Sequence, residues 1–227
     1  MRLPQYLLTA IPLLGAVLFG QSSGQEKSHA DHMEHRFDNP SELAKRFDDP
    51  ARDAWQMPDS VIQTLGLRPG RIVADIGAGT GYFTVRLAKS VAAPKVYAVD
   101  IEPSMVSYLK ERAGKERLNN VVAVQAGADT PNLPERVDLV LIVDTYHHIG
   151  GRETYFRKLA ESLKPGGSVA IIDFKTDSPE GPPKEFRFTP AQVKSEMSKA
   201  GYILTAEHNF LPRQHFLIFA LAGHPPQ

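Results

Sequence analysis

The sequence predicts an α/β protein built on an open, doubly wound, mostly parallel seven-stranded sheet with an antiparallel last strand. Three observations lead there. From Arg71 onward, strand-like and helix-like stretches alternate, the rhythm of parallel strands joined by helical crossovers. Several strands, VDLVLIV and SVAIIDF among them, are apolar nearly throughout, as strands are when helices cover both faces. Only LPRQ links the last two strands, too little chain for a helical crossover, so those two pair antiparallel.

Taken in order, residues 1–24 read as a signal peptide or N-terminal anchor: Arg2, then the apolar run Leu7 to Phe19, then small residues at Ser22 and Gly24. Pro12 and Gly15 interrupt that run, which is short for a membrane span, so no span is expected in the mature chain. Cleavage would make the protein exported, to the periplasm or cell envelope; an uncleaved segment would anchor it. Residues 25–57 form a polar linker and a helical extension, in which Ser41 is the expected cap of a helix carrying Leu43, Ala44 and Phe47. Residues 58–223 make up the α/β domain, opened by a helix at Pro58 and Asp59. Expected strands are Arg71 to Gly77, Lys95 to Ile101, Val121 to Gln125, Val137 to Asp144, Ser168 to Phe174, Ile203 to His208 and His215 to Ala220. Expected helices between them are Tyr82 to Val91, Pro103 to Lys115, Arg152 to Leu163 and Pro190 to Ala200. There is no internal repeat.

Composition narrows the function. The chain has 227 residues, 26 basic and 26 acidic, and no cysteine. Zero net charge gives no field to draw it to nucleic acid or an anionic membrane; a small molecule is the expected partner. Without thiols there are no disulfides, thiolate metal sites or cysteine nucleophiles. The histidines of HADHMEH (His29, His32, His35) have a spacing open to a transition metal, but they lack any fixed geometry and also read as a solvated tail. No metal site is assigned.

The chemistry concentrates in VADIGAGTGYF, where Gly77, Gly79 and Gly81 alternate after the first strand. Ligands of open parallel sheets collect at the carboxyl ends of the strands. Bare glycine backbone lets a ligand approach closely, and the next helix offers unpaired N–H groups. A nicotinamide dinucleotide and other nucleosides fit equally so far. Two details favour a ligand with a cationic centre. The dinucleotide fingerprint wants a small residue where Tyr82 stands, and Asp75 ahead of the glycines would repel a pyrophosphate but attract an ammonium or sulfonium group.

From Pro58 to Leu221 the residues resemble the class I S-adenosylmethionine-dependent methyltransferases, a Rossmann-like family of which this chain looks like a small-molecule type. The resemblance rests on DIGAGTG, VYAVDIEPSM, VDTYHHI and LKPGG in that order. It implies S-adenosyl-L-methionine as cofactor. Asp75, Gly77, Ala78, Gly79 and Gly81 would cradle it, Asp100 would bind its ribose hydroxyls, and Ile101 would lie on the adenine with Met105 nearby. The family places an acid for the adenine amino group after the third strand. This chain reads QAGADTPNLP there, so Asp129 is the candidate acid, displaced by a residue or two, and Gly127 and Ala128 would supply backbone.

The acceptor would meet the rim at the end of the fourth strand, where Asp144, Tyr146, His147 and His148 are the candidate catalytic residues. A neutral imidazole there can take a proton from an acceptor, or simply pack. Asp173 would be a further rim acid, and Arg52 and Trp55 candidates for the acceptor side. Each acid also has a local reading: Asp75 as a turn acid, Asp100 as the cap of the helix near Pro103. Two rival functions stay open on the same fold, an NAD(P)-dependent oxidoreductase and a non-catalytic nucleoside-binding envelope protein.

Overall fold

The computed structural model describes residues 39–90, 92 and 95–223. The expected signal peptide or anchor and the His29, His32 and His35 segment lie outside the described residues. Seven strands form one sheet in the order β3-β2-β1-β4-β5-β7-β6. They are β1 (Ile72–Ile76), β2 (Lys95–Asp100), β3 (Val121–Gln125), β4 (Val137–Val143), β5 (Leu163–Phe174), β6 (Tyr202–His208) and β7 (Gln214–Leu221). β1 to β5 run parallel, while β7 lies antiparallel between β5 and β6. The order reverses between β1 and β4, the switch point at which open sheets of this kind take ligands at the strand ends.

The helices are α1 (Pro40–Phe47), α2 (Asp53–Gln56), α3 (Pro58–Thr64), α4 (Tyr82–Lys89), α5 (Pro103–Lys115), α6 (Arg152–Leu159) and α7 (Pro190–Lys199). Two apolar cores result, one on each face. Tyr146, Phe156, Val193 and Met197 pack on one side; Val61, Phe83, Leu87 and Phe216 pack on the other. Central strands sandwiched this way have no polar face, which is why they read as unbroken apolar runs. Among the described residues no helix is long and apolar enough to cross a membrane.

Three local expectations change. Asn39, not Ser41, caps α1, its side chain accepting the Glu42 amide at 3.3 Å. That puts Pro40 at the first helical position, where a missing N–H costs nothing. α6 stops at Leu159 and tightens into a 3₁₀ turn, Ala160–Ser162, before the expected end. LKPGG, expected ahead of the fifth strand, belongs to β5 itself: Leu163 pairs with Val137, and the ladder shifts register before Ser168 meets Leu139. Gly167 permits this, because a β-carbon there would come within 2.9 Å of the Lys164 carbonyl oxygen.

Candidate active site

The glycine turn is wired to the end of β2. The Gly77 and Ala78 amides both donate to the Val99 carbonyl, at 2.8 and 3.0 Å, and the Gly79 amide donates to Asp100 Oδ2 at 2.8 Å. Asp100 Oδ1 accepts the Glu102 amide at 3.0 Å, an Asx-type turn leading into α5. Asp100 does not cap that helix, whose N-cap is Glu102 without a side-chain bond; it shapes the turn before it, and its carboxylate still has lone pairs for a second set of donors. Gly77 has φ +74°, and a β-carbon on it would lie 2.2 Å from Thr145 Oγ1. Gly81, at φ +95°, is the left-handed residue from which α4 departs. Ala78 is buried against Ala98 and Leu109.

Asp75 sits beneath this turn, fully enclosed. Its Oδ2 accepts the Thr84 hydroxyl at 2.6 Å. Burial pushes its carboxyl up to about 6, against the opposing pull of the Thr84 hydrogen bond. Ile101 is 43% exposed at the end of β2, an apolar side chain left open beside a carboxylate. Met105 is turned into the core. Ala128 and Asp129 form the exposed tip of a turn closed by the Gly127 amide on the Thr130 carbonyl at 2.9 Å. The Asp129 carboxylate is committed to Lys158 on α6, a partner 29 residues away that no local pattern marks.

The rim after β4 splits in two. Asp144, held at φ +53°, accepts from the side chains of Gln56, at 3.4 Å, and Gln214. The Arg52 guanidinium stands 3.6 Å away. Burial, reinforced by Asp173, pushes the Asp144 carboxyl up to about 7. Tyr146 does not belong to the rim. It is fully buried, stacked on Phe156, and its hydroxyl donates to Glu196 of α7. The ring faces the apolar core because the 3₁₀ turn Tyr146–His148 rotates successive side chains by about a third of a turn.

That rotation brings His147 to Asp173 instead. His147 Nδ1 lies 2.9 and 3.0 Å from the two Asp173 oxygens, and its backbone amide donates to Oδ2 at 3.2 Å. His148 is exposed, its ring centroid 4.1 Å from that of His147. His215, unremarked in the sequence, pairs across the β5–β7 ladder with Asp173. Gln56 and Gln214 were missed too, since nothing in a lone glutamine marks it for burial.

The N-terminal extension closes over all this. The Phe47 ring comes within 3.6 Å of where a Gly79 β-carbon would be. Arg52 lies 4.2 Å over the Tyr82 ring and binds the Phe47 carbonyl and Gln56 Oε1. Trp55 packs on Phe174 at 5.8 Å between centroids.

The glycine turn, the buried acid Asp75 beneath it and the second acid Asp100 closing β2 come together at the carboxyl edge of the sheet. Residues 73–167 match the family described as "Methyltransferase domain". The chain is 31% identical over 170 residues to the "Ubiquinone/menaquinone biosynthesis C-methyltransferase" of Ectopseudomonas mendocina, covering 73% of this chain and 64% of the relative. It is 29% identical to the "Erythromycin 3''-O-methyltransferase" of Saccharopolyspora erythraea, over 57% of this chain and 44% of that one. These matches span less than two thirds of the curated relatives' lengths. A solved "SAM dependent methyltransferase from Aquifex aeolicus" superposes with a TM-score of 0.74 at 28% identity, covering 81% of this chain and 99% of that one. Over its α/β domain the chain is thus similar to S-adenosylmethionine-dependent methyltransferases.

Proposed function

We propose that the protein transfers a methyl group from S-adenosyl-L-methionine to a small-molecule acceptor. The observation that carries this is the pairing of Asp100 with the glycine turn, beside the exposed side chain of Ile101. A carboxylate that already accepts two amides keeps acceptor capacity for two vicinal hydroxyls, and Ile101 offers an apolar surface for a purine. These residues fit the cofactor: Gly77, Gly79 and Gly81 give close backbone approach, Asp75 supplies negative charge beneath a cationic group, and the α4 amino end lies adjacent. Tyr82 stands buried where a dinucleotide-binding helix needs a small residue, which weighs against the oxidoreductase reading.

The bound cofactor supplies an electrophilic methyl on sulfur. The protein's own contribution is alignment, since holding nucleophile and methyl carbon about 3–3.5 Å apart can supply on the order of 7–11 kcal/mol. In this reading Phe47, Arg52 and Gln56 exclude water above the turn, and the rim from Asp144 to His148 faces the acceptor, with Tyr146 as its internal support. The apolar run from Leu7 to Phe19 supports export or anchoring, which mass determination of the mature N-terminus tests.

The direct experiment is calorimetry on the full chain with S-adenosylmethionine, S-adenosylhomocysteine and NADH in turn. Micromolar binding of the two adenosyl sulfur compounds, and none of NADH, is the expected result. The reverse pattern would reinstate the oxidoreductase.

A further inference from the structure

Arg112, on α5, touches neither the rim nor the residues proposed to contact the donor, yet it joins three parts of the molecule. Its Nη1 donates to the Thr80 carbonyl inside the glycine turn and to Asp48 Oδ2, each at 2.8 Å, and its Nε donates to Glu116 Oε1 at 2.9 Å. The stem of Arg112 also lies beside Gly81, where a β-carbon would come within 3.9 Å of its Cδ. Asp48 is the residue that ends α1. Its Oδ1 is buried with no hydrogen-bond partner among the described residues, and an acid at the carboxyl end of a helix is unfavourable without a cation beside it. Loss of Arg112 would strand that carboxylate.

The N-terminal extension depends on contacts of this kind. Of residues 39–57 only Gln56 is buried, so little apolar surface holds the segment down and polar pairs carry its docking. Asp48 pairs with Arg112 at 2.8 Å, Asp53 with Arg86 at 2.9 Å, and Gln56 with Gln214 at 3.1 Å. A segment held this way opens at lower cost than the core beneath it. Its pieces move together, because Asp49 caps the 3₁₀ turn Pro50–Arg52 between α1 and α2, and Arg52 donates back to the Phe47 carbonyl. Of the three pairs, it is Arg112 that also bonds the backbone of the glycine turn.

We propose that Arg112 is a positioning residue for the donor site, a bridge that makes seating of the N-terminal extension and binding of the methyl donor one coupled equilibrium. This rests on the methyltransferase reading above and deepens it. With the extension seated, Asp48 fixes the guanidinium, and the guanidinium fixes the Thr80 carbonyl and with it the backbone from Gly79 to Gly81. Phe47 closes on the same turn, its ring 3.6 Å from the β-carbon position of Gly79. Such coupling is reciprocal: the factor by which seating raises donor affinity is the factor by which the donor favours seating.

Trp55 supplies the readout. It is the single tryptophan of the chain and lies on α2, 5.8 Å from the Phe174 ring and 5.1 Å from the Arg213 guanidinium, so acrylamide quenching of its emission reports seating of the extension. The experiment pairs that signal with calorimetry of S-adenosylhomocysteine on the full chain. Asp48→Ala leaves the Arg112 bond to Thr80 in place; it should weaken affinity about fivefold or more and raise the quenching constant, with the far-UV urea midpoint unchanged. Arg112→Met should weaken affinity about tenfold or more. Arg112→Lys should fall between, because an ammonium lacks the planar fork that meets Thr80, Asp48 and Glu116 together. Asp48→Ala combined with Arg112→Met should bind within about twofold of Arg112→Met alone, since both remove one bridge. Additive losses, unchanged affinity in Asp48→Ala, or a quenching constant that does not rise would each overturn the proposal. Should Arg112→Met fail to fold, Asp48→Ala decides by affinity and quenching. Failure of S-adenosylhomocysteine to bind the wild type would instead sink the cofactor reading.

Discussion

The amide of Gly79 donates to Asp100 Oδ2 at 2.8 Å, a bond spanning 21 residues that ties the middle of the glycine turn to the end of β2. One carboxylate thus shapes the turn, and in the proposed function it also takes the ribose hydroxyls. Asp100→Ala leaves the Gly79 and Glu102 amides without an acceptor, at about 1–3 kcal/mol for each that stays buried. We expect a stability loss of about 2 kcal/mol in urea unfolding and an S-adenosylhomocysteine affinity at least tenfold weaker. Unchanged affinity would remove Asp100 from the cofactor site while leaving its role in the turn intact.

Gly77→Ala should be more damaging than the other substitutions in the turn. Its new methyl would lie 2.2 Å from Thr145 Oγ1 on a backbone held at φ +74°. Strain of this kind costs about 1–3 kcal/mol from the backbone alone, with the clash in addition. Thr145→Ala in the same chain should restore part of the loss, because it removes the Oγ1 and Cγ2 overlaps and leaves the Thr145 Cβ at 2.8 Å together with the backbone strain. A double-mutant cycle on unfolding free energies separates the two; strict additivity would show that Thr145 is not the obstacle.

Much of the fold was legible because its signals are local and redundant. The apolar runs of β4 and β5, the glycines at 77, 79 and 81, and the short link before β7 each constrain topology by themselves. The placement of Asp75 and Asp100 was legible for the same reason: they sit at strand ends in motifs whose spacing places them. The rim after β4 was not. Tyr146, His147 and His148 are consecutive, and only the 3₁₀ twist decides that Tyr146 turns to Glu196 while His147 turns to Asp173. Likewise, Gln56 and Gln214 stand 158 residues apart and meet only once α2 docks at the start of β7. No single-sequence pattern encodes such a meeting.

Stability should respond to pH through Asp75. Burial raises its carboxyl from 3.8 to about 6, so the folded state holds the proton more tightly than the unfolded chain. The resulting stabilisation is complete below pH 3.8, is lost as pH rises through about 6, and leaves a buried charge at neutrality that costs on the order of 3 kcal/mol. Asp75→Asn should therefore raise stability at pH 7.5 by about 1–3 kcal/mol and change it little at pH 4. The same variant should bind S-adenosylmethionine more weakly, a trade common where a site stores an unfavourable charge. Thermal melts at the two pH values, paired with calorimetry, check both halves.

Tyr146→Phe distinguishes a rim hydroxyl from an internal support. Its hydroxyl donates to Glu196, which also takes Arg152 through Nε and Nη2, while the ring stacks on Phe156 and is fully buried. Phenylalanine keeps the ring packing and deletes one hydrogen bond to a charged acceptor, worth about 1.5–3 kcal/mol. Glu196 retains Arg152 and is partly exposed, so the loss should sit at the lower end of that range. Methyl transfer to whatever acceptor is found should persist with kcat within about threefold, whereas His147→Gln should lower kcat by about 10²-fold or more if the imidazole takes the proton. A large fall in kcat for Tyr146→Phe without a matching fall in stability would return Tyr146 to the reacting groups and require the 3₁₀ turn to reorganise when the acceptor binds.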